Sequence, residues 1–297
     1  MNANFEKSSQ KIAATSASEL FYGTNKQTKE SVALKIYNVT SSDPRNTLRE
    51  LSVMQRLSHQ NLIKFYNYYE SYDQTVIVTE LAQHELLEYI IEKRYYCEDD
   101  CRGFIHQVMQ GLKYLHDLNI QHGNLKPENI LVKNGVVMLS DYNLHNIIPM
   151  SHTLIAPGFA SPQQLLQQTD FNADSYTLGS LTHLLLTGKL PFKQSDDLLK
   201  ETLRAQLAKD YEVKSTGISK NGQDFIIQCL KSQPSIDELL KHPWVNDTVP
   251  VIPLTGTQMQ LKRYLAQIRL RNGSSVGRET LKEVVETTNG FTDPSDE

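Results

Sequence analysis

The run His122-Gly123-Asn124-Leu125-Lys126-Pro127-Glu128-Asn129 gathers an imidazole, an ammonium, a carboxylate and two side-chain amides in one short segment. The amide at Asn124 cannot take up a proton near pH 7, because it has no useful pKa, so general-base chemistry is closed to it. A second polar group follows at Ser140-Asp141-Tyr142-Asn143, where Asp141 offers a carboxylate. Far upstream, Lys35 ends Val32-Ala33-Leu34-Lys35, and Glu50 sits in Arg49-Glu50-Leu51-Ser52-Val53-Met54. Taken alone, a lysine on a strand and a glutamate on a helix are usually surface charges.

The elements that must position these groups show in the periodicity. Ser31 to Tyr37 alternates as a strand does, and further strand-like runs lie near Leu62–Tyr69 and Thr75–Thr79. Asn46 to Leu57 reads as a helix with Leu48, Leu51, Met54 and Leu57 along one side. From about Leu81 the pattern turns helical. Phe104, Ile105, Val108, Met109, Leu112 and Leu115 mark a buried stripe. Another helix carries Leu178, Leu181, Leu184, Leu185 and Leu186 and stops at the cap signal Thr187-Gly188. Ser235 and Glu238 form a capping-box pattern, and His242-Pro243-Trp244 closes the domain. Residues 1–10 are polar and expected to be disordered.

Bulk properties exclude several classes. The chain has 297 residues, 39% hydrophobic and 22% charged, and a formal net charge of −4. Nothing in that balance suggests nucleic acid or an anionic membrane. No apolar run approaches the roughly 18 residues of a membrane span, and the N-terminus lacks a signal-peptide core. Cys97, Cys101 and Cys229 are too scattered for a disulfide framework, so a reducing, cytoplasmic setting is the expectation. Cys97 and Cys101 fall on one helix face, but a metal would need further ligands.

Several motifs in fixed order resemble the eukaryotic protein kinases over about residues 11–245, and among them the calmodulin-dependent group. The resemblance implies an α+β, bilobal fold, with a β-rich N-lobe over 11–80, a helical C-lobe over 81–245 and a tail over 246–297. Val32 to Lys35 is similar to V-A-I-K, which implies that Lys35 pairs with ATP phosphates and is anchored by Glu50. His122 to Asn129 is similar to the catalytic loop H-R-D-L-x-x-x-N, and Ser140 to Asn143 to the D-F-G segment. Asn129 and Asp141 then become magnesium ligands, Lys126 a stabiliser of the transferred phosphoryl group, and Asn124 the degenerate base position. Thr79, Glu80 and Ala82 fall where the family holds the nucleotide. Asp174 matches the family Asp that supports the catalytic-loop backbone.

The departures are as specific as the matches. Asn124 replaces the catalytic Asp. Gly123 replaces the neighbouring Arg, which in the family receives an activation-loop phosphate, so phosphorylation at Ser151 or Thr153 is not expected to act as a switch. Counting back from Lys35, the three glycines of the phosphate lid fall on Ala13, Thr15 and Ser18, with Glu19 adding negative charge beside them. Tyr142 brings a hydroxyl that needs a partner if buried, and Asn143 stands for Gly, being the residue that best tolerates positive φ. Gln163 replaces the Glu of A-P-E, and its usual Arg partner aligns with Gln233. Losing one member of a buried ion pair costs roughly 3–5 kcal/mol, whereas neutralising both can be nearly neutral.

In the tail, Met259 to Arg271 reads as a basic amphipathic helix with Leu261, Tyr264, Leu265 and Ile268 on one face. It resembles the regulatory helix of calmodulin-dependent kinases. Such a helix packs on its own lobe, or binds a calmodulin-like protein or an active kinase through residues 259–271. Thr280 to Glu283 suggests a last short helix. The expectation is a pseudokinase acting as regulator or scaffold, with ATP and Mg2+ as possible ligands. The alternatives are a weakly active Ser/Thr kinase and a nucleotide-sensing scaffold.

Overall fold

The computed structural model describes residues 4–14, 18–37, 51, 54–71, 74–142, 158–165, 171–192, 213, 217–249 and 251–271. Five antiparallel strands form the first sheet in the order β1-β2-β3-β5-β4. They are β1 Phe5–Ala14, β2 Ser18–Asn25, β3 Ser31–Tyr37, β4 Phe65–Glu70 and β5 Thr75–Glu80. β3 sits at the centre, so its alternation is buried on both faces. Val32, Leu34 and Ile36 join Phe5, Phe21 and Val78 in an outer cluster, and Tyr37 joins the main core on the other face.

The strand Phe5–Ala14 corrects the expectation of disorder over residues 1–10. Most of its side chains are exposed and Phe5 alone is buried, which makes the sequence read as unstructured. Its backbone pairs with β2 from Phe5↔Asn25 to Ala14↔Glu19, and those bonds need no apolar side chains. Lys7 also lies 3.6 Å over the Phe21 ring. The expected helix over 46–57 falls mostly outside the described residues, but Leu51 and Met54 are helical and buried.

The second part is helical around a small sheet of β6 His84–Glu85, β7 Ile130–Lys133 and β8 Val136–Leu139. Helix α1 spans Leu86–Glu92 and α2 spans Glu98–Asp117. Every member of the stripe from Phe104 to Leu115 read from the sequence is buried in α2. After the short α3 Pro162–Leu165 comes α4 Asn172–Thr187, buried all round from Ala173 to Leu186. A helix buried on every side belongs in the middle of a core. α4 ends at Gly188, whose φ of 73° suits glycine, and a Cβ there would stand 2.2 Å from Gln260 Cβ.

Helices α5 Lys220–Lys231, α6 Ile236–Leu239 and α7 Pro243–Asn246 close the domain. The buried carboxylate of Glu98 ties α5 and α7 to α2. It accepts from Ser219 N at 2.9 Å, Ser219 Oγ at 2.6 Å and Trp244 Nε1 at 2.9 Å. Ser235 and Glu238 form the capping box that the sequence suggested. The tail helix α8 Thr255–Arg271 docks on α1 and α4. Leu261, Leu265 and Ala266 are buried, while Tyr264 and Ile268 are half-buried. Polar bonds fix it further: Thr257 Oγ1 donates to Leu186 O at 2.9 Å, and Gln258 Nε2 donates to Ile90 O and Lys93 O, both at 2.9 Å. The expected helix at Thr280 lies outside the described residues.

Gln163 and Gln233 meet as their alignment suggested. Gln163 Nε2 donates to Gln233 Oε1 at 3.1 Å, and Gln163 Oε1 is buried with no partner. A neutral bond therefore spans the place of an ion pair. Gln163→Glu alone should destabilise the fold by about 1–3 kcal/mol, because it buries a charge beside an amide. Adding Gln233→Arg should recover that loss in urea unfolding. A double variant no more stable than Gln163→Glu alone would show that the two positions are not coupled.

Candidate functional site

The site forms where β3, the segment after α2 and the turn after β8 converge, and its frame starts at Asp174. This carboxylate is fully buried at the start of α4. Its Oδ2 accepts from His122 N at 2.9 Å and from His116 Nε2 at 2.9 Å, and its Oδ1 accepts from Gly123 N at 3.0 Å. Burial alone would push the Asp174 carboxyl up. The His116 hydrogen bond, the electrostatic influence of the neighbouring His122 and His116 and the Gly123 N–H outweigh it and hold the group below its usual range.

That anchor sets the loop. Gly123 takes φ of 70°, the left-handed region where a Cβ is disfavoured, and its carbonyl accepts from Gln164 Nε2 at 3.3 Å. Gln164 is itself held by Ser161, through Gln164 N to Ser161 Oγ at 3.1 Å and Ser161 N to Gln164 Oε1 at 3.0 Å. Burial lowers the His122 pKa, so its ring is neutral. Its Nδ1 accepts from Asn124 N at 3.2 Å, which places the proton on Nε2, a buried atom with no partner. Asn129 Nδ2 donates to Asn124 O at 2.7 Å and closes the loop on itself. Lys126 stands half-buried before the 3-10 turn Pro127–Asn129.

Asn129 then positions Asp141. Its carbonyl accepts from Ser140 N at 2.9 Å and from Ser140 Oγ at 3.1 Å, so the residue preceding Asp141 is tied to the loop. Asp141 adopts φ of 55°, an uncommon conformation that concentrates at functional positions. Tyr142 is buried, and its hydroxyl finds the partner it needs in Ile63 O at 3.3 Å. Asn143 and the lid residue Thr15 lie outside the described residues.

Lys35 and Asp141 form a direct ion pair across the cleft. Burial opposes the charge on Lys35, but the Asp141 carboxylate and the Tyr37 phenol overcome it and raise the lysine well above its usual range. The expected anchor, Glu50, lies outside the described residues. Glu80 refines an expectation. Its carboxylate is paired with Lys133, its N–H donates to Lys64 O at 2.8 Å, and its carbonyl accepts from Thr79 Oγ1 at 3.2 Å. Ala82 packs half-buried against the main core. Glu19, beside the lid positions, forms a solvent-exposed ion pair with Lys11. Ser18, at the last lid position, is buried in β2.

The donor set fits magnesium and a nucleotide. One carboxylate and one amide oxygen, with phosphates and water completing the shell, is how this cation is commonly held. Asp141 supplies the first, and Asn129 keeps its Oδ1 after committing its nitrogen to Asn124. Lys35 is the kind of cation a phosphate would pair with, and it is paired with Asp141. Among the described residues there is no cluster of three acidic, His or Cys ligands. No described helix is long and apolar enough to cross a membrane.

Sequence reasoning missed an acidic group beside the cleft. Glu85 caps α1 together with Glu88, and its carboxyl is pushed up to about 7 by burial and by the charges of Glu88 and Glu128, against the pull of Arg269 and Lys35. The tail reaches this group, because Arg269 forms an ion pair with Glu88. The E-x-x-E spacing of a capping box was visible in His84-Glu85-Leu86-Leu87-Glu88, but the approach of Glu128 and Arg269 is tertiary.

The anchor can be tested directly. Asp174→Asn should cost about 1.5–3 kcal/mol at pH 7, the range for hydrogen bonds to a charged group. Because the folded pKa lies below the ordinary value of 3.8, the stabilisation is present above that value and disappears as pH falls through the folded pKa. The urea-midpoint gap between wild type and variant should therefore narrow in acid. A gap that stays constant down to about pH 2 would show that Asp174 is not the source.

Comparison with known proteins agrees with this geometry. The protein kinase domain family matches residues 7–245. A probable myosin light chain kinase of Dictyostelium discoideum is 30% identical over 294 residues, covering 92% of this chain and 93% of its own length. Myosin light chain kinase A of the same organism is 28% identical over 281 residues, 85% of this chain and 93% of its own. The calcium/calmodulin-dependent protein kinase cmkA of Emericella nidulans is 32% identical over 268 residues, 81% of this chain but 64% of its own length. Sheet, catalytic loop and matched span converge on one conclusion: the chain belongs to the protein kinase domain family.

Proposed function

We propose that this chain is a pseudokinase, a kinase fold used for regulation or scaffolding, whose cleft takes ATP with magnesium. The observation that carries the reading is Asn124, a group unable to accept a proton, whose own backbone N–H and carbonyl are both held within the loop. Loss of a general base costs typically about 10²–10⁴ in rate. The lid adds to that loss, since Ala13 and Ser18 bring side chains where close backbone approach to phosphate needs glycine. ATP would supply the phosphoryl group and its metal the neutralising charge. The chain's own residues would bind and orient them: Lys35 at the phosphates, Asp141 and Asn129 at the metal, Lys126 at the transferred group. A second reading, a weakly active Ser/Thr kinase, is favoured by these same four residues. The docked tail helix supports a partner reading too, in which a calmodulin-like protein or an active kinase engages residues 259–271 after Arg269 releases Glu88.

Thermal unfolding with ATP, with and without magnesium, tests the nucleotide part. Saturation at about 100 times Kd should add about 2.7 kcal/mol, and Asp141→Asn should remove the magnesium-dependent share. No stabilisation leaves a scaffold without nucleotide. Asn124→Asp tests the rest. If the lid and base are both lost, this change alone should raise phosphate transfer less than about tenfold, whereas a rise of about a hundredfold supports the weak-kinase reading.

A further inference from the structure

The tail helix α8 meets the C-terminal ends of two other helices. The last carbonyls of a helix have no partner within it, so something outside must satisfy them. Thr257 Oγ1 donates to Leu186 O, in the last turn of α4, at 2.9 Å. Gln258 Nε2 donates at 2.9 Å to Ile90 O and at 2.9 Å to Lys93 O, so both its hydrogens serve the end of α1. At the far end of α8, Arg269 pairs with Glu88 in the first turn of α1. The tail helix therefore grips α1 at both ends. Just before it, Leu254 N donates to Tyr96 O at 2.7 Å, which fixes the chain that leads into α8. Apolar contact completes the docking, with Leu261 and Leu265 in the main core. Of the described residues of α8, only Gly256 and Gln267 are exposed.

α1 needs this support. It has seven residues, and a helix that short is not stable by itself. Its start is tied to the cleft. β6 His84–Glu85 runs directly into it, and Glu85 and Glu88 form its capping box. Gln83, one residue earlier, donates its N–H to Val132 O at 3.0 Å, next to Ala82. A partner that takes residues 259–271 must lift Leu261 and Leu265 out of the core, and in the same step it strips α1 of Gln258 and Arg269. We infer that α8 is a splint for α1: the two helices open as one unit, so that capture of the tail by a partner and occupation of the cleft by nucleotide oppose each other. The splint stands on the contacts alone, and the opposition rests on the nucleotide reading proposed above. Coupling of this kind is reciprocal, so a bound nucleotide holds the tail down as strongly as tail release weakens the nucleotide.

Hydrogen exchange of the full chain, read by mass spectrometry on peptides from α1 and α8, tests both halves. Gln258→Met keeps the length of the side chain and removes its two donors. Exchange should quicken about tenfold in α8 and by a similar factor in α1, in line with the loss of two hydrogen bonds. Quickening confined to α8 overturns the splint. If Gln258→Met instead speeds exchange throughout the chain, Arg269→Gln decides, because it removes only a partly exposed ion pair. It should quicken both helices about two- to fivefold, and quickening in α8 without α1 again overturns the splint. The opposition is read with saturating ATP and magnesium, with exchange in α5 as the measure of general stabilisation. In the wild-type chain α8 should slow about fivefold more than α5 does. In the double variant Gln258→Met, Arg269→Gln that excess should fall below about twofold, since its tail no longer holds α1. ATP that slows exchange in β3 and leaves α8 level with α5 overturns the opposition and keeps the nucleotide reading. ATP that changes neither exchange nor the unfolding temperature of the wild-type chain overturns the nucleotide reading and the opposition together, and the splint is still judged by the variants alone.

Discussion

Consecutive backbone N–H groups at His122 and Gly123 end on the two oxygens of a single buried carboxylate, Asp174, and the geometry of the cleft descends from that contact. It fixes Gly123 in the left-handed region and sets Asn124 against His122. Asn129 is drawn onto the Asn124 carbonyl, and Ser140 onto Asn129. Asp141 follows, and reaches Lys35 across the cleft. Because α4 is buried on every side, the anchor is held by the most central helix of the fold. An ionised carboxylate at such a position is tolerable only because each oxygen is met by donors.

The substitutions along this chain of contacts are each structurally accommodated. Gly123 has the residue type best suited to its φ, and the hydroxyl of Tyr142 is bonded to Ile63. Gln163 and Gln233 replace an ion pair by a hydrogen bond. Removing one partner alone would have left a buried charge, which is the costly outcome. Such paired accommodation fits the proposed reading, in which architecture persists while proton transfer does not. Lys35, Lys126, Asn129 and Asp141 are what the weak-kinase alternative has in its favour.

Much of this was legible in the sequence because it depends on residue type at fixed offsets. The strand Ser31–Tyr37, the stripe of α2, the cap at Gly188 and the Ser235 capping box all rest on local periodicity or end signals. The Gln163–Gln233 bond followed from two departures at positions that belong together. What stayed hidden is tertiary. Strand Phe5–Ala14 looks polar because an outer strand needs only backbone partners. The gathering of Glu85, Glu88, Glu128 and Arg269 joins residues far apart in sequence. The pairing of Glu80 with Lys133 is likewise tertiary.

The proposed loss of turnover is tested most directly by transfer of labelled phosphate from ATP to a protein substrate, comparing the wild-type chain with Lys35→Met. The account predicts that the two are indistinguishable from background. Transfer by the wild-type chain that disappears in Lys35→Met would contradict it and make the chain a working kinase.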